Sequence, residues 1–147
     1  MAVDVVSEIT IARPRSEVSA YACDPDNTTA WYSNIESVVW RSPRPLGVGT
    51  RLGFIAGFLG RRLDYTYEVR EWAPGERFVM STAQGPFPME TTYIWEDAGE
   101  TATRMALRNR GEPAGFARIA APLMARAIQR ANHADLRRLK AILERPT

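Results

Sequence analysis

The chain is nearly without lysine, cysteine and histidine. Of its 19 basic residues only Lys140 is a lysine, and Cys23 and His133 are the single cysteine and histidine. One cysteine cannot form an internal disulfide. A lone cysteine with a lone histidine also provides neither the ligand spacing of a zinc site nor a catalytic triad. We therefore expect no metal and no disulfide.

Long hydrophobic runs are also missing. The longest uncharged run, residues 78–89, has twelve residues, whereas about 20 are needed to cross a bilayer. The start of the chain lacks the charged and apolar regions of a signal peptide. A net charge of +2 with no clustered basic run does not indicate a nucleic-acid footprint. We expect a cytoplasmic protein with no membrane span and no nucleic-acid partner.

Motifs for cofactors and acid–base chemistry are sparse. The segment 47–49 has two glycines but lacks the third glycine of a dinucleotide loop, so no cofactor is expected. Cys23 precedes an aspartate, which disfavours a thiolate. His133 falls on the polar side of the last helical pattern, and Glu90 and Glu96 fall on the outer face of their strand. None of these residues is predicted to be catalytic.

Period-two alternation predicts seven strands. Strand one is followed by two short helical segments, the first after Pro14 and the second over residues 28–34, and then only strands follow. Proline and glycine turns separate these strands, which is typical of sequential antiparallel hairpins. The predicted strands are 3–12, 35–41, 50–59, 62–72, 77–83, 89–96 and 102–109.

From Pro113 onward the apolar period becomes helical. Pro122 is expected to kink this segment or to divide it into a lead-in and a main helix of about 22 residues. A single α+β domain over residues 1–147 follows from this order, because no linker or repeat interrupts it. Seven strands must bury one face, and only the last helix is long enough to cover it. The sequence therefore predicts a helix-grip fold, in which a curved antiparallel sheet wraps around a long C-terminal helix.

The inner face of the predicted sheet is rich in aromatic residues and methionine, whereas the first half of the helix presents mostly alanine. On the fourth strand Leu63, Tyr65, Tyr67 and Val69 share the inner side. Large side chains opposite small ones favour an apolar cavity, although the same residues could simply close the core. The predicted ligand-binding residues are Trp40, Phe54, Phe58, Tyr65, Tyr67, Phe78, Met80, Met89, Tyr93, Trp95, Met105, Leu107, Phe116, Ala120, Leu123 and Ala127. Polar candidates on the same face are Tyr65, Tyr67, Tyr93, Thr91, Thr103, Asn109 and the indole of Trp95.

An ordered set of short motifs resembles the superfamily of START-related domains, polyketide cyclases and coenzyme-Q-binding proteins (SRPBCC). The resemblance covers nearly the whole chain. Its carriers are Ile9-Thr10-Ile11-Ala12-Arg13-Pro14 with Glu17-Val18, Asp24-Pro25 with Trp31, Gly47-Val48-Gly49-Thr50, Gly60-Arg61 before Tyr67-Glu68-Val69, Pro74-Gly75-Glu76-Arg77, Gly85-Pro86-Phe87, the strand from Tyr93 to Glu96, Thr101 to Thr103, and Asp135-Leu136-Arg137-Arg138-Leu139-Lys140 with Leu143-Glu144.

The resemblance implies a cavity between sheet and helix that binds a lipid, polyketide, quinone or hormone. It does not identify catalytic residues in this chain, since proteins with this fold have many different functions. The main prediction is binding of an apolar or aromatic small molecule, and two alternatives stay open. One is a polyketide cyclase or dehydratase in which a tyrosine hydroxyl polarises a carbonyl. The other is a chaperone-like interaction module, and a homodimer is also left open. The docking face of that module would be Arg118, Arg126, Arg130, Arg137 and Arg138.

Overall fold

The computed structural model describes residues 3–58, 60–84, 88–113 and 119–146, without the side chains of Phe58 and Arg61. It contains one seven-stranded antiparallel sheet and three α-helices among these residues. The strands are β1 (Val3–Ile11), β2 (Ile35–Trp40), β3 (Arg51–Phe58), β4 (Arg61–Ala73), β5 (Arg77–Thr82), β6 (Met89–Asp97) and β7 (Thr103–Gly111). The helices are α1 (Arg15–Cys23), α2 (Thr28–Trp31) and α3 (Ala121–Leu143), with a 3₁₀ turn at Pro25–Asn27.

The sheet order is β1-β7-β6-β5-β4-β3-β2. From β2 to β7 each strand pairs with the next one in sequence, as the short turns predict, and β1 joins the end of the sheet beside β7. Helix α3 packs on the concave side and contacts β1 and α2. The predicted helix-grip α+β fold is therefore confirmed.

The alternation on β4 positions the inner face as predicted. Leu63, Tyr65 and Tyr67 point to the concave side, while Arg62 and Asp64 are exposed on the convex side. A register shift between Val69 and Glu71 then changes the alternation, because a β-bulge adds one residue to one strand. After the bulge Trp72 packs edge-on against Phe78.

Two helix predictions need refinement. Helix α2 ends at Trp31, short of the predicted residue 34, because Tyr32 adopts an extended backbone (φ −86°, ψ 119°). Pro122 lies in the first turn of α3, where its missing N–H costs no helical hydrogen bond. It therefore begins the main helix, which has 23 residues against the predicted length of about 22, so of the two predicted alternatives the kink is wrong.

The two halves of α3 pack against different clusters. In the second half Leu136 and Leu139 are fully buried in the main core, together with Trp31, Trp95 and Met105. In the first half Ala121 joins a small separate cluster with Val3 and Val5, and Met124 and Ile128 are only partly buried against it.

Polar contacts fasten the C-terminal end of α3 to β1. Lys140 Nζ donates to the Thr10 carbonyl at 2.8 Å, and Glu144 Oε2 accepts from the Ala12 N–H at 2.8 Å. Arg138 Nη1 donates to the Trp31 carbonyl at 3.0 Å, which ties the same half of the helix to α2. No helix in the described part of the chain is both long and apolar enough to span a bilayer.

Candidate functional site

A cavity of about 210 Å³ lies between the concave face of the sheet and α3. Its wall is mainly apolar, and α1, α2 and the inner faces of β3 to β7 contribute to it. Three of the residues that line it are exposed and mark its rim, namely Asn34, Gln84 and Ala127. The cavity is thus an internal volume with an opening.

Half of the predicted ligand-binding residues line this cavity. They lie on four strands and one helix, and those on the strands occupy the inner face that the period-two alternation predicts. They are Phe54, Tyr65, Tyr67, Phe78, Met80, Met89, Tyr93 and Ala127. Their contact with a ligand remains a prediction.

Other predicted residues lie outside the cavity wall. Trp95, Met105 and Leu107 are at most 2% exposed and belong to the solid core. Their strands carry them to the correct face, but at positions where neighbouring side chains already fill the space. Trp40 packs at the edge of the core, and its indole N–H donates to Asp26 at 3.1 Å.

The remaining predictions concern the start of the last helix. Leu123 is 72% exposed and does not line the cavity, because it falls on the outward side of α3. Ala120 is the N-cap residue of α3 and is also absent from the wall. The side chain of Phe58 and all of Phe116 lie outside the described residues.

A chain of hydrogen bonds crosses one wall of the cavity. Asn132 Nδ2 donates to Asn109 Oδ1 at 2.5 Å, and Asn109 Nδ2 donates to Thr91 Oγ1 at 2.8 Å. Tyr67 lies on the same cavity wall as Thr91, and burial raises the pKa of its phenol. All four residues line the cavity. A ligand oxygen on this wall would meet neutral amide and hydroxyl groups.

A second polar group is a pair of tyrosines. The hydroxyls of Tyr32 and Tyr93 are 2.6 Å apart, and both residues line the cavity. Burial raises the pKa of both phenols, so both stay protonated at neutral pH. One hydroxyl donates to the other, which leaves the acceptor's own proton for a further partner.

Asp135 is the buried carboxylate of the cavity wall, and its side chain is 1% exposed. Its Oδ1 accepts from the Ser33 N–H at 3.2 Å and from Arg138 Nη1 at 3.4 Å. Burial raises the pKa of this carboxyl despite these two partners. Its negative charge also raises the pKa of Tyr32, so the carboxylate and the tyrosine pair form one electrostatic unit.

The raised pKa of Asp135 predicts a specific pH dependence of stability. The folded protein retains this proton at pH values where the unfolded chain has released it, so this group's contribution is complete below the ordinary Asp pKa of about 3.9. It declines as the pH rises through that value to the higher folded-state pKa. We expect the free energy of unfolding of wild type minus that of Asp135→Asn to fall over this range in urea titrations. A difference that rises with pH would show that Arg138 and Ser33 outweigh burial.

Several polar candidates have structural roles instead. Thr103 Oγ1 donates to the Arg13 carbonyl at 2.7 Å and does not line the cavity. The Trp95 indole N–H is buried without a partner among the described residues. His133 is exposed on α3, as predicted.

Candidates for metal binding and nucleophilic chemistry are few. Cys23 lines the cavity, but burial raises its thiol pKa well above the ordinary value. The thiol therefore stays protonated. Within the described ranges, no group of three or more His, Cys, Asp or Glu residues has the geometry to hold a metal ion.

The sequence interpretation missed Asp135, Asn132 and Tyr32. A signal for the first two was present, because Ile128, Asn132, Asp135 and Leu139 recur at intervals of three or four and so share the buried face of α3. Polar residues on a buried helix face are unusual unless they have partners. Tyr32 had no such signal, since it lies just after the end of α2.

A curved sheet closed over a long helix, with a lined cavity between them, defines the chain as a helix-grip protein. Residues 2–144 match the family model described as polyketide cyclase / dehydrase and lipid transport. The chain belongs to this family. No curated protein sequence matches the chain significantly.

Solved structures share the fold at low sequence identity. A START superfamily protein from Mycobacterium smegmatis matches with a TM-score of 0.83 and 13% identity, over 96% of this chain and 97% of that one. The Zhui aromatase/cyclase from a Streptomyces species matches with a TM-score of 0.81 and 17% identity, over 99% and 95%. A Thermus thermophilus protein matches with a TM-score of 0.80 and 22% identity, over 94% of both chains.

Proposed function

We propose that the protein binds one small, largely apolar molecule that carries at least one oxygen group. The observation that carries this proposal is the cavity itself, whose wall is mainly apolar and carries two hydrogen-bonded polar groups, the amide–hydroxyl chain and the tyrosine–Asp135 unit. A few polar groups within an apolar wall are typical of sites that orient a ligand. The volume of about 210 Å³ is smaller than the roughly 300–1,000 Å³ of sites for drug-sized molecules. A ligand of one or two rings, or a short acyl chain, fits this volume.

Titration with a neutral fluorescent dye of two fused rings, prodan, tests the proposal directly. We expect saturable binding with one site per chain, and competition by 2-naphthol. Native mass spectrometry of protein purified from its own host would then identify a retained ligand by its mass. A folded protein that binds neither the dye nor 2-naphthol would contradict the proposal.

Replacing Asn132 by leucine should separate the polar from the apolar part of recognition. The variant removes the first donor of the Asn132–Asn109–Thr91 chain. We expect affinity for 2-naphthol to fall about tenfold, the equivalent of one hydrogen bond of about 1.4 kcal/mol, while affinity for naphthalene changes little. His133→Leu, one residue further on the exposed side of the same helix, is the control. Equal losses for both competitors would show that the amide does not recognise oxygen.

A second candidate function is a cyclase or dehydratase, and the Asp135–Tyr32–Tyr93 unit favours it. An aldol-type ring closure needs a base that removes a proton from carbon and an acid that protonates the carbonyl oxygen. In this proposal the Asp135 carboxylate takes the carbon proton, and a tyrosine hydroxyl donates to the developing alkoxide. A later dehydration releases water. Loss of turnover with retained affinity in Asp135→Asn, measured with a poly-β-keto thioester, would favour the enzyme over the carrier.

A further inference from the structure

The outward side of α3 is a continuous exposed stripe. Leu123, Arg126, Arg130 and Arg137 follow one another at intervals of three, four and seven residues, which places them on one face of a helix. All four side chains are exposed. With Ile119, immediately before the helix, we call them the outer α3 face.

Two large aliphatic side chains protrude from the outer α3 face. Ile119 is 80% exposed and Leu123 is 72% exposed, more than any other large apolar side chain described. In the sequence Ile119 and Leu123 come just before Met124 and Ala127, which line the cavity. Ala127 also forms part of the cavity rim. The protruding aliphatic groups are therefore adjacent to the opening of the cavity.

The charge of this face is of one sign. Helix α3 carries five basic side chains and a single carboxylate, Asp135, which is buried on the opposite side. Among the described residues no ion pair joins Arg126, Arg130 or Arg137 to an acid. Arginines elsewhere in the described structure differ, since nine of them have an acidic partner within 4.0 Å. These are Arg13, Arg15, Arg41, Arg44, Arg62, Arg70, Arg77, Arg104 and Arg108.

We propose that the outer α3 face docks the protein on the surface of an anionic lipid membrane. The arginines would contact lipid phosphates, and Ile119 and Leu123 would enter the headgroup region, as in other peripheral contacts that combine basic and apolar side chains. A nucleic acid would give the aliphatic side chains no apolar environment, and an acidic protein would need a matching pocket for each of them. Docking here would bring the cavity opening to the membrane, where apolar ligands accumulate.

Vesicle co-sedimentation tests this proposal. We expect binding to vesicles of phosphatidylcholine with about 30% phosphatidylglycerol, weaker binding to phosphatidylcholine alone, and release by salt. The Arg126→Gln/Arg130→Gln variant should bind the anionic vesicles about 25-fold less tightly, at about fivefold for each arginine near the surface. Ile119→Gln/Leu123→Gln should lose about tenfold or more.

Matched controls come from exposed residues elsewhere on the surface. Arg51→Gln removes an exposed arginine on β3, and Val48→Gln replaces an apolar side chain that is 69% exposed. Both should bind anionic vesicles as wild type does. Prodan binding should be unchanged in Arg126→Gln/Arg130→Gln, so failure of the docking proposal is distinguishable from failure of the cavity proposal. Equal binding to both vesicle types, or undiminished binding by the arginine variant, would overturn the proposal. Binding to polyglutamate but not to vesicles would also overturn it and indicate an acidic protein partner.

Discussion

Replacing Ala131 by phenylalanine is expected to abolish binding of a neutral apolar probe, with a loss of affinity of about 100-fold or more. Ala131 lines the cavity on α3, one turn before Asp135. A phenyl ring at this position would occupy a large share of the 210 Å³ volume. Because the ring enters existing space, the free energy of unfolding should fall by less than the roughly 1–3 kcal/mol typical of an overpacked core. Prodan titration and urea denaturation measure the two quantities.

Two further variants serve as controls for this experiment. Ala127→Phe should weaken binding less, because Ala127 is exposed at the cavity rim and its ring can turn outward. Ala141→Phe, on an exposed position of the same helix, should leave binding unchanged. If Ala131→Phe binds the probe as wild type does while losing several kcal/mol of stability, the interior is a filled core and the ligand proposal fails.

Replacing Tyr93 by phenylalanine is expected to lower the free energy of unfolding by about 1–3 kcal/mol, the usual cost of an unpaired buried polar group. The variant removes the partner of the Tyr32 hydroxyl, which is 2.6 Å away in the wild type. The double variant Tyr32→Phe/Tyr93→Phe removes both hydroxyls together. It should therefore recover most of the lost stability, and urea denaturation of all four proteins completes a double-mutant cycle.

The cycle also bears on the enzyme alternative. If the losses in the two single variants simply add in the double variant, the hydroxyls act independently, and cavity water satisfies each of them. Non-additivity would instead show a coupled pair, which is the arrangement that the proposed proton donation to a carbonyl requires.

Alternation predicted which face of the sheet residues such as Tyr65, Tyr93 and Trp95 occupy, but not their depth in the protein. Alternation assigned Tyr93 and Trp95 to the same inner face, yet Tyr93 lines the cavity and Trp95 lies in the solid core. Parity repeats every two residues along a strand, whereas depth depends on which elements cover that position. Met105 and Leu107 differ from Phe54 for the same reason.

The helix showed a different limit. The pattern of apolar residues at every third or fourth position predicted that Leu123 faces inward, although it faces outward. The same pattern did not identify Asn132 and Asp135, which face inward. A hydrophobic pattern identifies the buried face of a helix only where the buried side chains are themselves apolar. At the cavity the buried face carries polar groups, so the residues most relevant to function depart from the pattern.

The uneven packing of α3 has a consequence for how a ligand reaches the interior. The second half of the helix is fixed by Leu136, Leu139 and the contacts of Lys140 and Glu144 with β1. Among the residues that the structure describes, the first half rests on the small cluster of Val3, Val5 and Ala121, so fewer of these buried contacts must break to displace it. Local opening free energies follow the density of such contacts. The helix can therefore behave as a hinged cover, whose first turns open at a fraction of the cost of global unfolding while its far end remains anchored.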